Sequence, residues 1–494
     1  MALNLTRPAE QVNFDTDASY APMLANLQAN ILWSHGRDHA RHIFIRFIGD
    51  PGAARAWIRN TVEQDIMSAA EQRQQKADRH RAKGENRTFD GGLVVNFFLS
   101  ATGYAFLGFD PALMPSKGFS RGMKDRRDFD GPGPLRFSNR DPKPAEWEPG
   151  YRGEIHALVT LADNAVGADL SRLLAKLALY KSQIEAGLGV VTQVEEGRKL
   201  ERPISGHPTR TEPIEHFGYF DGISQPLFTI AELDEYYKEQ ERAPQAGDWK
   251  PDAELNLVLA RDPFAAVEAY GSFFVYRKLE QDYATFKERV QALAAAVPIS
   301  EELAGAYVVG RFKDGTPTTH GETPDPGLVT ANHFMHSKDS EGLKCPLHAH
   351  IRKANPRGTT PATSLSKERA KRIVRRGIPY GKPHPDLECD PADFETQEDG
   401  PRGLIFMCFQ ANIEKQFEFI QRVWVDNEEF PRGILEPDTG DDPLIGQHGN
   451  AAQKWPRKWN NADAGRRAFN FEAAVTLKGG EYLFAPSLAF LRNL

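Results

Sequence analysis

The sequence predicts an α+β protein of two domains, each a β-sheet with helices packed on it. Three observations lead there. The chain has 494 residues, 40% hydrophobic and 26% charged, an ordinary globular composition with length for two or three cores. Segments 42–62 (HIFIRFIGDPGAARAWIRNTV) and 272–290 (SFFVYRKLEQDYATFKERV) follow one pattern. A second pair, GGLVVNFFLSATGYAFLGF from Gly91 and GLIFMCFQANIEKQFEFI from Gly403, repeats it.

In each segment an apolar, β-branched and aromatic run comes first, which reads as a strand. An amphipathic stretch follows, which reads as a helix. The pairing of the segments suggests an internal duplication. An acidic, polar join falls at 232–254 (ELDEYYKEQERAPQAGDWKPDAE), so the domains are expected at 1–231 and 269–494, with 232–268 connecting them. Pro- and Gly-rich stretches interrupt both halves at 114–150, 310–364 and 427–461. Loops of this length in a compact chain are usually functional, because the scaffold must hold them in place.

A net charge of −7 disfavours nucleic acid as a partner, since phosphate binding needs a concentrated positive face. No stretch approaches the roughly 18 apolar residues of a membrane span. The N-terminal MALNLTRPAEQVNFD has no basic n-region, apolar h-region or twin arginine, so a cytoplasmic protein is expected. Cys345, Cys389 and Cys408 are too few for a disulfide framework and read as small hydrophobes in a reducing compartment. No CxxCH is present, so any haem would be non-covalent.

Four motifs carry chemistry. In HFGYFDGISQP (216–226), Asp221 follows Phe217, Tyr219 and Phe220. It is either an Asp-Gly turn or a carboxylate set in an apolar wall, its pKa tuned for proton transfer. In CPLHAHIRKANPRG (345–358), His348 and His350 precede Arg352, Lys353 and Arg357. On an extended segment both histidines would face one metal; on a helix they would lie about 200° apart and only one could. The cationic run after them favours an anionic ligand. In KRIVRRGIPYG (371–381), Arg375 and Arg376 either end a helix or present charge to a site. In DDPLIGQ (441–447), a buried carboxylate could accept the Nδ1 hydrogen of a metal-bound imidazole, or the segment is an acidic turn.

Together these segments resemble the dye-decolorizing peroxidase family. GYFDG is similar to its GxxDG motif, LHAHIRKANPR to the segment of its proximal histidine, and RRGIPYG to that of its distal arginine. The flanking phrases GSFFVYRKLEQD, GLIFMCFQANIEKQFEFIQ, DDPLIGQ and TLKGGEYLFAPS match too, from about Leu24 to the C-terminus. Length and long loops look like the large class V members, formerly C and D.

The resemblance implies two ferredoxin-like domains with antiparallel sheets and one haem b between them. It makes His350 the axial iron ligand, with His348 a neighbour, Asp442 the acid bonded to the imidazole, and Leu404 and Phe406 the apolar residues over the haem. Arg352 and Arg357 would contact the propionates. Asp221 would be the acid–base group, Arg375 the charge stabiliser, and Tyr380 and Trp424 electron relays. The partners implied are hydrogen peroxide and organic donors such as dyes and phenols, with the chain a monomer or homodimer. Two other classes remain open at this stage. One is a haem carrier or sensor without turnover; the other is a non-haem iron or zinc enzyme using His348, His350 and a carboxylate.

Overall fold

A computed structural model describes residues 3–124, 141–164, 169–204, 207–240, 243–360, 363–387, 389, 400–431, 439–447 and 452–494. Parts of the three long loops (125–140, 361–362, 432–438 and 448–451), and 241–242 of the acidic join, lie outside the described residues.

The strands of the first half are β1 (His39–Phe47), β2 (Val94–Ser100), β3 (Ala157–Asp163), β4 (Gly189–Arg198), β5 (Leu200–Ile204) and β6 (His207–Ile214). Those of the second are β7 (Ala260–Arg261), β8 (Tyr270–Gln281), β9 (Val374–Arg375), β10 (Ile378–Tyr380), β11 (Gly403–Gln410), β12 (Gln453–Pro456), β13 (Arg466–Phe469) and β14 (Val475–Ala485). Ten of these form one antiparallel sheet in the order β10-β11-β8-β14-β2-β3-β1-β4, with β7 beside β8 and β9 beside β11. β5 with β6, and β12 with β13, are separate hairpins.

The strand–helix units expected from the sequence are present. β1 leads into helix Pro51–Trp57, whose N-cap Asp50 accepts from the backbone N–H of Gly52 and Ala53. β8 leads into helix Tyr283–Ala296, capped in the same way by Asp282. β2 leads into helix Ala101–Phe106, and β11 into the turn Phe417–Phe419 and the π-helix Ile420–Val425. The acidic join differs from its linker-like composition, for it begins as helix Ile230–Glu239. Thr229 caps the backbone N–H of Glu232, and the Glu232 carboxylate accepts in return from the Phe228 N–H and the Thr229 hydroxyl. This reciprocal cap starts a helix despite the charge of the segment.

The sheet is rolled. Phe44 on β1 and Tyr276 on β8 are separated by three strands, yet their rings meet edge to face at 4.8 Å. The edge strands β4 and β10 also meet: a Cβ on Gly197 would stand 2.6 Å from Ile378 Cγ2, so only glycine admits this approach. Rolling follows from the right-handed twist of antiparallel strands and leaves no long open edge. The inner face is filled with aromatics. Phe98 stacks on Phe274 at 4.3 Å, and Phe409 lies 4.8 Å from Phe274. A smaller core lies outside the sheet, where Phe217 stacks on Phe286 at 4.1 Å beneath helices Tyr283–Ala296 and Glu301–Val309.

No single described helix is long and apolar enough to cross a membrane. All three cysteines are free, Cys345 and Cys408 buried and Cys389 partly so.

The filling of the roll can be tested. Phe274→Ala is expected to lower unfolding stability by about 3–5 kcal/mol, and Leu179→Ala, at an exposed helix position, by no more than about 0.5 kcal/mol. Urea midpoints of the two variants against wild type are the measurement.

Candidate active site

Asp221 is placed by the backbone on both sides of it. Its own N–H donates to Pro213 O at 3.0 Å, and the N–H of Phe220 donates to Lys313 O at 3.0 Å. Gly222 follows at φ +91°, a conformation open to glycine, and its N–H donates to Asp221 Oδ1 at 2.7 Å. Arg375 comes from β9, whose pairing with Cys408 of β11 fixes its register. Gln225 reads its backbone twice: its Oε1 accepts from the Arg375 N–H at 3.1 Å, and its Nε2 donates to Arg375 O at 3.3 Å.

The two side chains meet as an ion pair, Arg375 Nη1 donating to Asp221 Oδ1 at 2.8 Å. Burial raises the Asp221 carboxyl; the charge and hydrogen bond of Arg375, with the Gly222 N–H, more than reverse this and leave it below the ordinary carboxylate value.

His350 opens the short helix His350–Ala354. Its Nδ1 lies 2.8 Å from Asp442 Oδ2. An ionised carboxylate can only accept, so Nδ1 carries the proton and Nε2 is left free as a ligand. Asp442 is itself fixed, Oδ1 accepting from the N–H of Leu444 at 2.8 Å and of Ile445 at 3.2 Å. Burial lowers the pKa of His350, but the Asp442 carboxylate more than offsets it and the net shift is upward.

Asp221, Arg375 and His350 line one cavity. Its apolar wall includes Leu404 and Phe406 of β11, Leu279 of β8, and Ile351, Val309 and Ile420. Arg311 and Arg357 also line it. Arg311 donates to Gly315 O and Ala331 O, and Arg357 to Asn332 O, Phe334 O, Asn332 Oδ1 and Ser224 Oγ. These partners are neutral oxygens. Burial accordingly pushes Arg311 down to about 10 and Arg357 well down. The Arg357 guanidinium is further held between rings, 4.3 Å from the centroid of Phe334 and 4.8 Å from that of Trp249. Two buried cations with neutral partners favour an anion in the same cavity. A free imidazole nitrogen, apolar walls and an anion position together fit haem b: Nε2 of His350 for the iron, Leu404 and Phe406 for the ring, Arg311 and Arg357 for the carboxylates.

Arg352, expected from the sequence to contact a propionate, stands elsewhere. Arg352 is fully buried away from the cavity lining, where it pairs with Asp339 at 3.2 Å and donates to Cys345 O and Asp339 O. It ties the loop leading to His350 instead of facing a propionate. Tyr380 and Trp424 are buried, and neither is among the lining residues. Trp424 stacks on Phe430 at 5.5 Å, and Lys278 Nζ sits 4.8 Å from the Tyr380 ring centroid. His348 also turns away: its Nδ1 lies 3.1 Å from Thr439 O and its ring packs edge-on against Trp455. The two histidines therefore do not share a metal, and no cluster of three or more metal-ligating side chains occurs among the described residues. Arg311 was not legible in the sequence, where it is one basic residue after the Gly310 that ends a helix.

The cavity is that of a haem-binding oxidoreductase, and the known proteins the chain resembles agree. The profile described as Dyp-type peroxidase, C-terminal, matches residues 305–434. The chain is 37% identical over 485 residues to the multifunctional dye peroxidase DyP2 of an Amycolatopsis species, covering 96% of each. It is 32% identical over 427 residues to the dye-decolorizing peroxidase msp1 of Mycetinis scorodonius, covering 81% of this chain and 76% of that one. The crystal structure of an Anabaena DyP-type peroxidase superimposes with a TM-score of 0.84 at 37% identity, covering 99% of both chains. The chain belongs to the DyP-type peroxidase family and is a haem peroxidase, which excludes a carrier without turnover.

His350→Ala is expected to stay folded but lose most of its haem, and His348→Ala to retain it. Asp442→Ala should weaken retention about 10- to 100-fold. The haem-to-protein absorbance ratio after gel filtration, with circular dichroism as the check on folding, is the measurement; haem loss in His348→Ala alone would reverse the ligand assignment.

Proposed function

We propose that the protein reduces hydrogen peroxide at haem b bound through His350 and oxidises dyes, phenols and other organic donors one electron at a time, with Asp221 as acid–base group and Arg375 as charge stabiliser. The observation that carries this is the Arg375–Asp221 pair, 2.8 Å apart and lining the same cavity as His350. Haem b supplies the iron at which peroxide is reduced and the oxidising equivalents that the donors consume.

The rest is protein chemistry. Asp221, held ionised by Arg375, takes the proton from one peroxide oxygen and returns it to the other, so that water can leave. The Arg375 guanidinium is positioned by its backbone contacts to Gln225 and by donation from Nη2 to Ser224 O at 3.2 Å. It therefore meets the charge that develops as the O–O bond breaks without having to reorganise. Asp442 keeps the imidazole in the metal-binding tautomer and increases its basicity. Tyr380 and Trp424 would serve as electron relays for bulky donors; for Trp424 this is supported by its lying on the same π-helix as the cavity residues Ile420 and Gln421. A cytoplasmic setting and a monomer or homodimer complete the reading, the free cysteines supporting a reducing compartment.

Two outcomes are expected by stopped-flow at the haem band. Arg375→Leu should slow the peroxide step by about 10²–10³, and Asp221→Asn should slow it steeply while haem is kept. The pH profile follows from the direction of the Asp221 shift. Its pKa is lowered, so the base is ionised at neutral pH and through the mildly acidic range, and the rate is lost only as pH falls through that lowered value. A histidine base would instead lose the step below about pH 6. A profile that falls away there, or an Asp221→Asn enzyme as fast as wild type, would assign the proton to another group.

A further inference from the structure

Strands β8 and β11 form one wall of the haem cavity, and alternate residues of each point the other way. Arg277 and Leu279 of β8, with Leu404 and Phe406 of β11, line the cavity. Tyr276 and Met407, register partners on these strands, face the inside of the rolled sheet. The inside also opens into a second cavity of about 680 Å³, within the usual size for a small organic ligand. His42 of β1, Met407 and Ile378 line it, together with the aromatic Trp33 and Phe89. Tyr276 lines neither cavity: its strand walls the first, and its side chain reaches His42, which lines the second. It is fully buried, and its phenol oxygen is 3.0 Å from Nδ1 of His42.

We propose that Tyr276 is a redox relay of the enzyme: its phenol gives one electron to the peroxide-oxidised site, and the phenolic proton passes to Nδ1 of His42. The O–H bond breaks, leaving a neutral phenoxyl radical beside an imidazolium. One electron from an organic donor then restores the phenolate oxygen, and the same proton returns from His42. Two such passages match the two electrons that reduce one hydrogen peroxide to water. The inference rests on haem being held in the cavity by His350.

The chemistry requires a base at the phenol, because a tyrosine that loses an electron becomes a strong acid and cannot keep its proton. Burial, with Arg41 nearby, pushes His42 down to about 3, so it is neutral at rest; it is a weak base there, and its acceptance of the proton rests on the 3.0 Å contact and on the far greater acidity of the oxidised phenol. Burial likewise keeps the Tyr276 phenol protonated at rest. Tyr380, the tyrosine the sequence singles out, is less suited. Its hydroxyl is buried with no partner among the described residues, so its oxidation would strand the proton. Tyr151 has an acceptor in Glu195 at 2.9 Å, but it belongs to a helical turn and not to the strand that walls the haem cavity.

The test is freeze-quench electron paramagnetic resonance of the haem-loaded enzyme mixed with one equivalent of hydrogen peroxide and no donor. The expected result is a tyrosyl signal that narrows with ring-deuterated tyrosine, loses most of its intensity in Tyr276→Phe, and changes its g-values in His42→Gln. Replacing Tyr276 with 3-fluorotyrosine keeps the packing and should add a fluorine splitting. No tyrosyl signal in wild type, or an unchanged line shape with 3-fluorotyrosine at 276, would overturn the proposal. The haem band and the peroxide step are followed in the same samples. Failure of the relay with both intact is thereby distinguished from failure of the haem site.

Discussion

The architecture depends on one strand. β14 comes from the last part of the chain, yet it pairs along most of its length with β8 of the second half and, at Leu483 and Phe484, with Ser100 and Leu99 of the first. Backbone hydrogen bonds therefore weld two similar α+β units into one sheet, and the units cannot turn independently without breaking the ladder. The twist accumulated across the sheet then brings β4 to β10 and Phe44 to Tyr276. Asp221 hangs from the separate β5–β6 hairpin through its N–H to Pro213 O, Arg375 comes from β9 of the large sheet, and the two side chains, one from each half, meet at 2.8 Å.

Within that frame the site is a balance of charges. Asp221 is paired with Arg375 and accepts from the Gly222 N–H, and Asp442 accepts from His350 and two backbone N–H groups. Arg277 is likewise matched by Asp141, and Arg352 by Asp339. Arg311 and Arg357 break the pattern, facing the cavity with carbonyl, amide and hydroxyl partners. Keeping buried guanidiniums without a carboxylate is costly unless a ligand brings negative charge. The surplus of positive charge suits a carboxylate-bearing cofactor.

Much of this was legible in the sequence, for physical reasons. Strand–helix units show as apolar runs that change period, so both pairs were found. The join at 232–254 reads as a polar connection from its composition, and its first part is helical because the Thr229–Glu232 cap, a local signal, outweighs net polarity. Among the site residues, Asp221, His350 and Arg375 lie in short distinctive motifs, and the structure brings them to one cavity. Arg352 and Arg357 read alike as basic residues after a histidine, but only Arg357 faces the cavity. Their difference is decided by Asp339, whose approach to Arg352 is a tertiary event. The His42–Tyr276 contact joins residues 234 positions apart and leaves no trace in either local sequence.

The two cavities give the rolled sheet a consequence for reactivity. Asp221, Gly222, Gln225, Pro226 and Arg375 line both, so the proposed proton-transfer pair stands where the cavities adjoin. A small oxidant such as peroxide and a bulky donor then face different problems. Peroxide needs only to reach the ion pair, whereas a donor broader than that gap would have to displace the groups that perform the first half of the reaction. Moving Arg375 aside would strand Asp221 in a buried position without its cation, where burial alone raises its pKa and weakens it as a base. A route for electrons through the wall avoids this conflict, since an electron can cross a packed aromatic side chain without opening the site. Under the proposed relay, donor oxidation would leave the Asp221–Arg375 pair undisturbed.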